Sequence, residues 1–524
     1  MLRTISLPQL KGTTRQTQAG TGFWQKIPVL MPILLLYLGL AFFRIDQQSF
    51  WGDEIASING AYGDSLFAAS LWSSGHGPLY FILLHFWMQL GQTEFAVRSL
   101  SAILAAAAVC LTYALGSRLV DRRYAAIAAT LFAASPFVIW YAQETRYITL
   151  AIVTVLFSMY SFHRALSTNA FKFWLLYACA TAMALFAFVP NAFVIMGQGI
   201  YVVSLRQRPL ILRWIGYLAA VMLIFGTWLA VIYGGATVAN ITGSAAEVNQ
   251  VPVASLATGT PRELSVAVVP YTLFAFTSGF SMGPSVEKLH VSRELATLLN
   301  YLPTLAPLTL LFGMLFLLGV SQLLRQTATP GVLLLWLIIP IVGVLLIAFT
   351  TDVAYNVRYA CAAFPAYIFI LAAGITKFRH RVVQLGVLLA VLSINGLSLA
   401  QYYFNPYYAK ADARAAARYM ESAGGPQDVI LLVGNSGAFS YYYEGNLPIV
   451  RWGAPITSSG ETVRANMHEL TKSYDRLWFV AIRPWETDPN ANVKAALDHS
   501  LQRLHELTLP GVEISSYAHG KSGE

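Results

Sequence analysis

Long apolar runs set the frame of this chain. A bilayer core takes about 20 apolar residues in helical form. Eleven stretches approach that length, at roughly 27–43, 97–117, 124–141, 147–163, 173–188, 190–205, 214–233, 303–323, 331–350, 359–376 and 382–400. The pattern predicts a polytopic α-helical membrane protein with about eleven transmembrane helices. Residues 264–283 are uncharged but interrupted by Pro270, Gly279 and Gly283, and they read as a re-entrant or surface-lying helix. The run Leu79–Leu90 is about 18 Å long as a helix, too short to cross. It predicts a helix lying at the membrane interface. After Tyr402 the long runs give way to alternation. A helix over 412–422, a strand over 428–433, a helix over 461–472 and a strand over 477–482 predict a small α/β domain. The turn Gly434-Asn435-Ser436-Gly437 lacks the spacing of a phosphate-binding loop.

Composition agrees. Apolar residues make up 56% of the 524 and charged residues 11%, less than half the roughly 25% of soluble proteins. The three cysteines, Cys110, Cys179 and Cys361, all lie in apolar runs, so no disulfide framework or zinc pattern is available. The net charge of +9 acts as a topology signal. With the N-terminus in the cytoplasm, 16 of the 23 Lys and Arg before residue 401 fall on the inner side, and Asp121 is the lone acid there. That obeys the positive-inside rule and removes the main reason to expect nucleic acid. The implied layout is a cytoplasmic tail at 1–26, a transmembrane domain at 27–400 with outer loops at 44–96 and 234–302, and an extracytoplasmic domain at 401–524. Ala41-Phe42-Phe43 is no small-residue cleavage site, so the first run reads as a retained anchor in the plasma (inner) membrane.

The loop after the first span carries Trp51-Gly52-Asp53-Glu54 and then His76-Gly77-Pro78-Leu79-Tyr80. An acid just outside a span is often a plain solvated residue. Here an interfacial helix follows and holds the carboxylates near the lipid–water boundary. Arg98 opens the second span, Ser135-Pro136 and Gln143-Glu144-Thr145-Arg146-Tyr147 follow the third, and Arg358 precedes the tenth. Ionisable groups near membrane depth are expensive and mark functional sites by default; the alternative is that the arginines snorkel to headgroups. Arginines bind phosphate through charge-assisted, bidentate hydrogen bonds, and a carboxylate takes a proton from a hydroxyl. The combination fits group transfer from a membrane-bound phosphate ester. A lipid phosphate leaves without protonation, so one carboxylate suffices as base.

In order and spacing, these motifs resemble the bacterial members of glycosyltransferase family 39. Those enzymes have the GT-C fold and are relatives of protein O-mannosyltransferases and lipid A aminoarabinose transferases. The resemblance is strongest over 27–205, resumes at Arg358-Tyr359 through Pro365, and reaches Lys410–Asp428. It implies an inverting glycosyltransferase that moves a hexosyl or pentosyl group from a polyprenyl-phosphate donor, at the outer face, to a glycan, lipid or protein acceptor in the cell envelope. It implies Asp53 as the catalytic carboxylate with Glu54 assisting. His76, Arg98, Glu144, Arg146, Tyr147 and Arg358 would contact phosphate, headgroup or sugar. Gly77 departs from the family's more usual His-Pro-Pro, which should loosen that turn. A divalent cation held by Asp53 and His76 is left open. Residues 234–302 either cover the cavity as a lid or only pack the bundle. The main rival is a transporter or lipid flippase without transferase chemistry, which would place polar groups and broken helices at the midplane.

Overall fold

A computed structural model describes residues 27–62, 77–241, 268–285, 288, 300–326, 330–351, 355–452, 470, 474 and 476–519. Each of the eleven apolar runs falls on a helix. Among the described residues seven helices are long and apolar enough to cross a bilayer: Glu94–Leu119, Ile148–Thr168, Arg208–Val231, Leu302–Arg325, Gly331–Thr350, Val357–Thr376 and Arg381–Phe404. An eighth crossing is Arg122–Ala133 plus Pro136–Ala142, bent by 55°. Ser135 makes that break: its Oγ accepts from Val138 N at 3.5 Å, and Pro136 takes the first helical position, where its missing N–H costs nothing. The other three, Ile27–Phe42, Phe171–Ala187 and Ala192–Ser204, are 16, 17 and 13 residues long. They fall short of a full crossing by themselves.

The helices are not equally enclosed. Val357–Thr376 is 89% buried and Arg208–Val231 only 11%, so the first sits at the centre of the bundle and the second faces outward. The central helix packs against Leu302–Gln326 through glycines. A Cβ on Gly319 would lie 1.9 Å from the Ile370 carbonyl oxygen, and one on Gly374 would lie 2.1 Å from that of Leu315. Within a membrane, close backbone approach of this kind drives helix association.

Val268–Ser278 is a separate 11-residue helix, too short to cross. It packs against Pro136–Ala142 and Arg381–Phe404. Leu79–Trp87 also forms, with Tyr80, Phe81 and Leu84 buried and His85 Nδ1 2.8 Å from the Ala61 carbonyl oxygen. It docks on Gly52–Ala61 and Glu94–Leu119.

Beyond the last long helix lies a five-stranded sheet: β1 (Asp428–Gly434), β2 (Ile449–Arg451), β3 (Arg476–Ile482), β4 (Gln502–Leu509) and β5 (Val512–Ala518), in the order β2-β1-β3-β5-β4. β1 runs parallel to β2 and β3, while β5 is antiparallel to β3 and β4. Helices Ala413–Ala423, Ser436–Tyr442 and Asn492–Ser500 accompany it. The expected helix over 412–422 and strand over 428–433 are present as helix Ala413–Ala423 and β1, and the expected strand over 477–482 is β3. The expected helix over 461–472 lies, apart from Leu470, outside the described residues. The sheet rests on the bundle. Arg414 reaches Glu94 Oε1 at 2.8 Å, Tyr442 OH donates to the same oxygen at 2.8 Å, and Phe50 N donates to Tyr442 OH at 2.7 Å. A Cβ on Gly52 would come 2.6 Å from the Asn435 amide nitrogen. The end of β1 therefore presses on the start of the helix that carries Asp53.

Candidate functional site

Gly52–Ala61 places Asp53 and Glu54 in its first turn, where a helix favours negative charge. Adjacent residues on a helix point in different directions, and these two carboxylates have different surroundings. Glu54 is fully buried and faces Arg98. The pair is bidentate, with Arg98 Nε to Oε1 at 2.8 Å and Nη2 to Oε2 at 2.8 Å. Thr145 N adds a third donor to Oε1 at 2.9 Å. Burial pushes the Glu54 carboxyl up, but Arg98 and Lys410 outweigh it and hold the group well below the usual carboxylate range.

Arg98 is 1% exposed. Besides Glu54 it donates to the carbonyl oxygens of Ile45, Gln48 and Ser49 at 2.8, 2.8 and 3.1 Å. A guanidinium has five N–H donors, and all five are thus used inside the protein. The expected contact of Arg98 with a lipid phosphate has no free donor to make it. Its geometry is that of a clamp joining the 45–49 loop to Glu54.

Asp53 is one-third exposed and lies between two other arginines. Arg358 Nη1 pairs with its Oδ2, and Arg146 Nη2 stands 3.6 Å from the same oxygen. Arg146 Nη1 also donates to the Asp53 carbonyl oxygen at 2.9 Å and to Ser57 Oγ at 3.2 Å. Burial raises the Asp53 carboxyl, and Arg358, Arg146 and Arg483 together overcome that and hold it far below its ordinary value. The Nε groups of Arg146 and Arg358 are buried without a hydrogen-bond partner. Buried donors are nearly always satisfied, so two orphaned guanidinium N–H groups flanking one carboxylate mark a place for an anion.

Glu144 and Tyr147 join the same neighbourhood. Glu144 is 1% exposed, and Lys410 Nζ lies 3.0 Å from its Oε1 and 3.7 Å from Glu54 Oε2. Burial raises the Glu144 carboxyl, with Lys410 opposing. Tyr147 lies under the Arg146 guanidinium at 5.1 Å and stacks on Phe188 at 4.8 Å. Gln143 holds the bend in place, its Nε2 donating to Ala41 and Phe43 carbonyl oxygens at 2.9 and 2.8 Å.

The structure therefore gathers Asp53, Glu54, Arg98, Glu144, Arg146, Tyr147 and Arg358 from four separate regions of the chain. It adds Lys410 and Gln143, which were not singled out as site residues. Lys410 carried a signal: it is a lone cation among aromatics, just past the end of the last long apolar run. His76 lies outside the described residues. Among those residues no three His, Cys, Asp or Glu form a metal-binding group. Two guanidinium groups on Asp53 make a setting suited to an anion, and the divalent cation left open for Asp53 and His76 would need His76, which lies outside the described residues.

Next to Asp53 opens a cavity of about 110 Å³, between the bundle and the sheet. Trp51, Trp140, Phe280, Ser285, Lys410, Arg483 and Trp485 are among the residues that line it. Part of the long 234–302 loop thus reaches the cavity wall, and Tyr408 OH donates to the Gly283 carbonyl oxygen at 2.9 Å.

Residues 75–233 match the family model described as dolichyl-phosphate-mannose-protein mannosyltransferase. The fold is similar to ArnT from Cupriavidus metallidurans bound to undecaprenyl phosphate, with a TM-score of 0.55 at 12% identity, over 95% of this chain and 99% of that one. It is also similar to the Archaeoglobus fulgidus oligosaccharyltransferase AglB in complex with an inhibitory peptide and a dolichol-phosphate. That match has a TM-score of 0.52 at 11% identity, over 95% of this chain and 74% of the other. A search of curated proteins returned no match. The chain is a multi-pass membrane protein with the fold of the GT-C glycosyltransferases, and its residues 75–233 match a protein mannosyltransferase family model.

Proposed function

We propose that this protein is an inverting glycosyltransferase that uses a polyprenyl-phosphate sugar as donor at the outer face of the membrane. The observation that carries the reading is Asp53 set between Arg146 and Arg358, each with a buried and unpartnered Nε. The arginines receive the donor phosphate. Asp53 then takes the proton of the acceptor hydroxyl as its oxygen attacks the anomeric carbon. The bond from that carbon to the phosphate oxygen breaks on the opposite side, and its electron pair leaves on polyprenyl phosphate. The configuration inverts, and the two guanidinium groups stabilise the charge that develops on the leaving phosphate. Glu54 and Arg98 are positioning residues, since neither has an atom free for substrate. Glu144 and Lys410 support the wall beside them. The similarity to a structure holding undecaprenyl phosphate supports the donor class.

A transporter has less support. The ionisable groups stand at helix ends, in the first turn of Glu94–Leu119, between Ala142 and Ile148, at the start of Val357–Thr376 and beyond Phe404. The test is turnover with polyprenyl-phosphate sugars, alongside undecaprenyl phosphate binding. Asp53→Asn should lower turnover at least the ~10²-fold typical of a lost acid–base group, with lipid-phosphate binding retained. Near-normal turnover would move the base elsewhere.

A further inference from the structure

The cavity beside Asp53 is built from alternating aromatic rings and cations. Lys410 Nζ lies 5.6 Å from the Trp140 ring centroid and 5.5 Å from that of Trp51. The Arg483 guanidinium lies 5.7 Å from the Trp51 centroid and 5.6 Å from that of Trp485. The order Trp140, Lys410, Trp51, Arg483, Trp485 thus forms a continuous ladder from the membrane helices to the sheet. Arg483 holds a left-handed backbone conformation, with φ 51°, unfavourable for a residue with a Cβ and kept where surroundings enforce it. The indole N–H of Trp51 is buried and unpartnered. Ser285 and Tyr407 bring hydroxyls to the same wall.

Such a cavity has a definite chemistry. Each ordered water needs roughly 10–15 Å³, so about 110 Å³ holds room for several, or for a ring that displaces them. Aromatic faces receive apolar C–H surfaces, while N–H and O–H groups around them fix a ligand rich in hydroxyls. The cations are largely compensated, Lys410 by Glu144 and Arg483 by Glu486 at 2.9 Å. A strong anion is therefore not the best fit. The wall begins at Trp51, two residues before Asp53, whereas Arg146 and Arg358 do not line it. Arg483, which lines the cavity, acts electrostatically on Asp53, so the cavity lies near Asp53 and apart from the phosphate arginines.

We infer that this cavity is a saccharide subsite: it seats a sugar ring of the acceptor, so the acceptor is a glycan or glycolipid and not a protein hydroxyl. The assignment of the ring to the acceptor rests on the proposed function; the binding of a saccharide does not. A general base must lie within hydrogen-bond reach of the hydroxyl it activates, so an acceptor ring belongs near Asp53 and apart from the arginines that would hold the donor phosphate, and a cavity lined by Trp51 and Arg483 but not by Arg146 or Arg358 suits that placement.

The test uses the full chain in nanodiscs, with saturation-transfer NMR on a panel of methyl hexosides and methyl pentosides and on a Ser/Thr-containing peptide. The expected result is transfer to at least one glycoside and none to the peptide, with the glycoside signal reduced at least fivefold by Trp485→Ala. Undecaprenyl phosphate should bind that variant as it binds the parent, which certifies its fold. If it does not, Trp485→Phe, which keeps a ring, should retain the signal. Absence of transfer to every glycoside, peptide binding in their place, or an unchanged signal in Trp485→Ala with lipid phosphate still bound would overturn the inference. Polyprenyl-phosphate mannose and glucose separate the two sources of a sugar ring. Displacement of the glycoside by either, but not by sugarless undecaprenyl phosphate, would assign the cavity to the donor and refute the acceptor role. Loss of lipid-phosphate binding in Arg358→Ala bears on the proposed function alone.

Discussion

Two neighbouring carboxylates, Asp53 and Glu54, have different surroundings because their partners differ. Glu54 is closed in by Arg98, Thr145 and Lys410, while Asp53 keeps one-third of its side chain exposed and meets guanidinium groups that still have donors to give. Both are held ionised. A depressed carboxyl adds stability that is fully present above the ordinary range near pH 4 and is lost as pH falls through its lowered value. The same sign governs activity. On the proposed mechanism Asp53 acts as a base when deprotonated, so the acid limb of kcat/KM for the free enzyme should lie below about pH 4. Removing Arg358 takes away the largest opposing charge on Asp53. In Arg358→Ala the residual kcat/KM should show its acid limb displaced to higher pH; a limb that stays in place would contradict the pairing. Asp53, Arg146 and Arg358 were legible in the sequence because charges are rare in so apolar a chain. The role of Arg98 was not. Sequence shows that a cation is present, and only geometry shows that all five of its donors are spent.

At the scale of elements, apolar run length located each long helix. It said less about crossing, because Ser135 and Pro136 bend one run and three others are short. The hairpin of β4 and β5 was missed although its signal was present: alternating positions flank Pro510-Gly511, and Gly511 has φ +62°, the conformation that such turns reserve for glycine. Gly77 shows the opposite failure. It was expected to loosen a turn. In the structure a Cβ there would meet the Phe186 carbonyl oxygen at 2.0 Å, so glycine permits a close crossing. The Gly319–Gly374 contact offers a direct test of packing. Gly319→Leu should destabilise the bundle by at least the ~1–3 kcal/mol of an overpacked core, read as a lower thermal midpoint. Gly313→Leu on the same helix, where a Cβ meets nothing within 4 Å, should change it little.

For the whole molecule, the sheet and the bundle are joined at the site itself. Lys410 reaches Glu54 and Glu144, Arg414 reaches Glu94, and Asn435 lies against Gly52. If all eleven apolar runs cross, the positive-inside rule puts that sheet outside the cytoplasm. A reporter fused after Ala518 should therefore behave as exported. A cytoplasmic signal would put the sheet, and with it the contacting Asp53 helix, on the inner side and overturn the outer-face orientation.

The salt bridges on Asp53 also set an entry threshold. Any anion that takes Arg146 and Arg358 must outcompete a carboxylate already seated there, so its apparent affinity is reduced by the rarity of the unpaired state. Monovalent carboxylates from the surroundings gain little by such an exchange, whereas a phosphate offers more acceptor oxygens and more charge. Once displaced, Asp53 loses its cationic neighbours and becomes a stronger base. On the proposed mechanism, ligand capture and base activation would be one reciprocal equilibrium, with Asp53 held by its arginines until the donor phosphate displaces it.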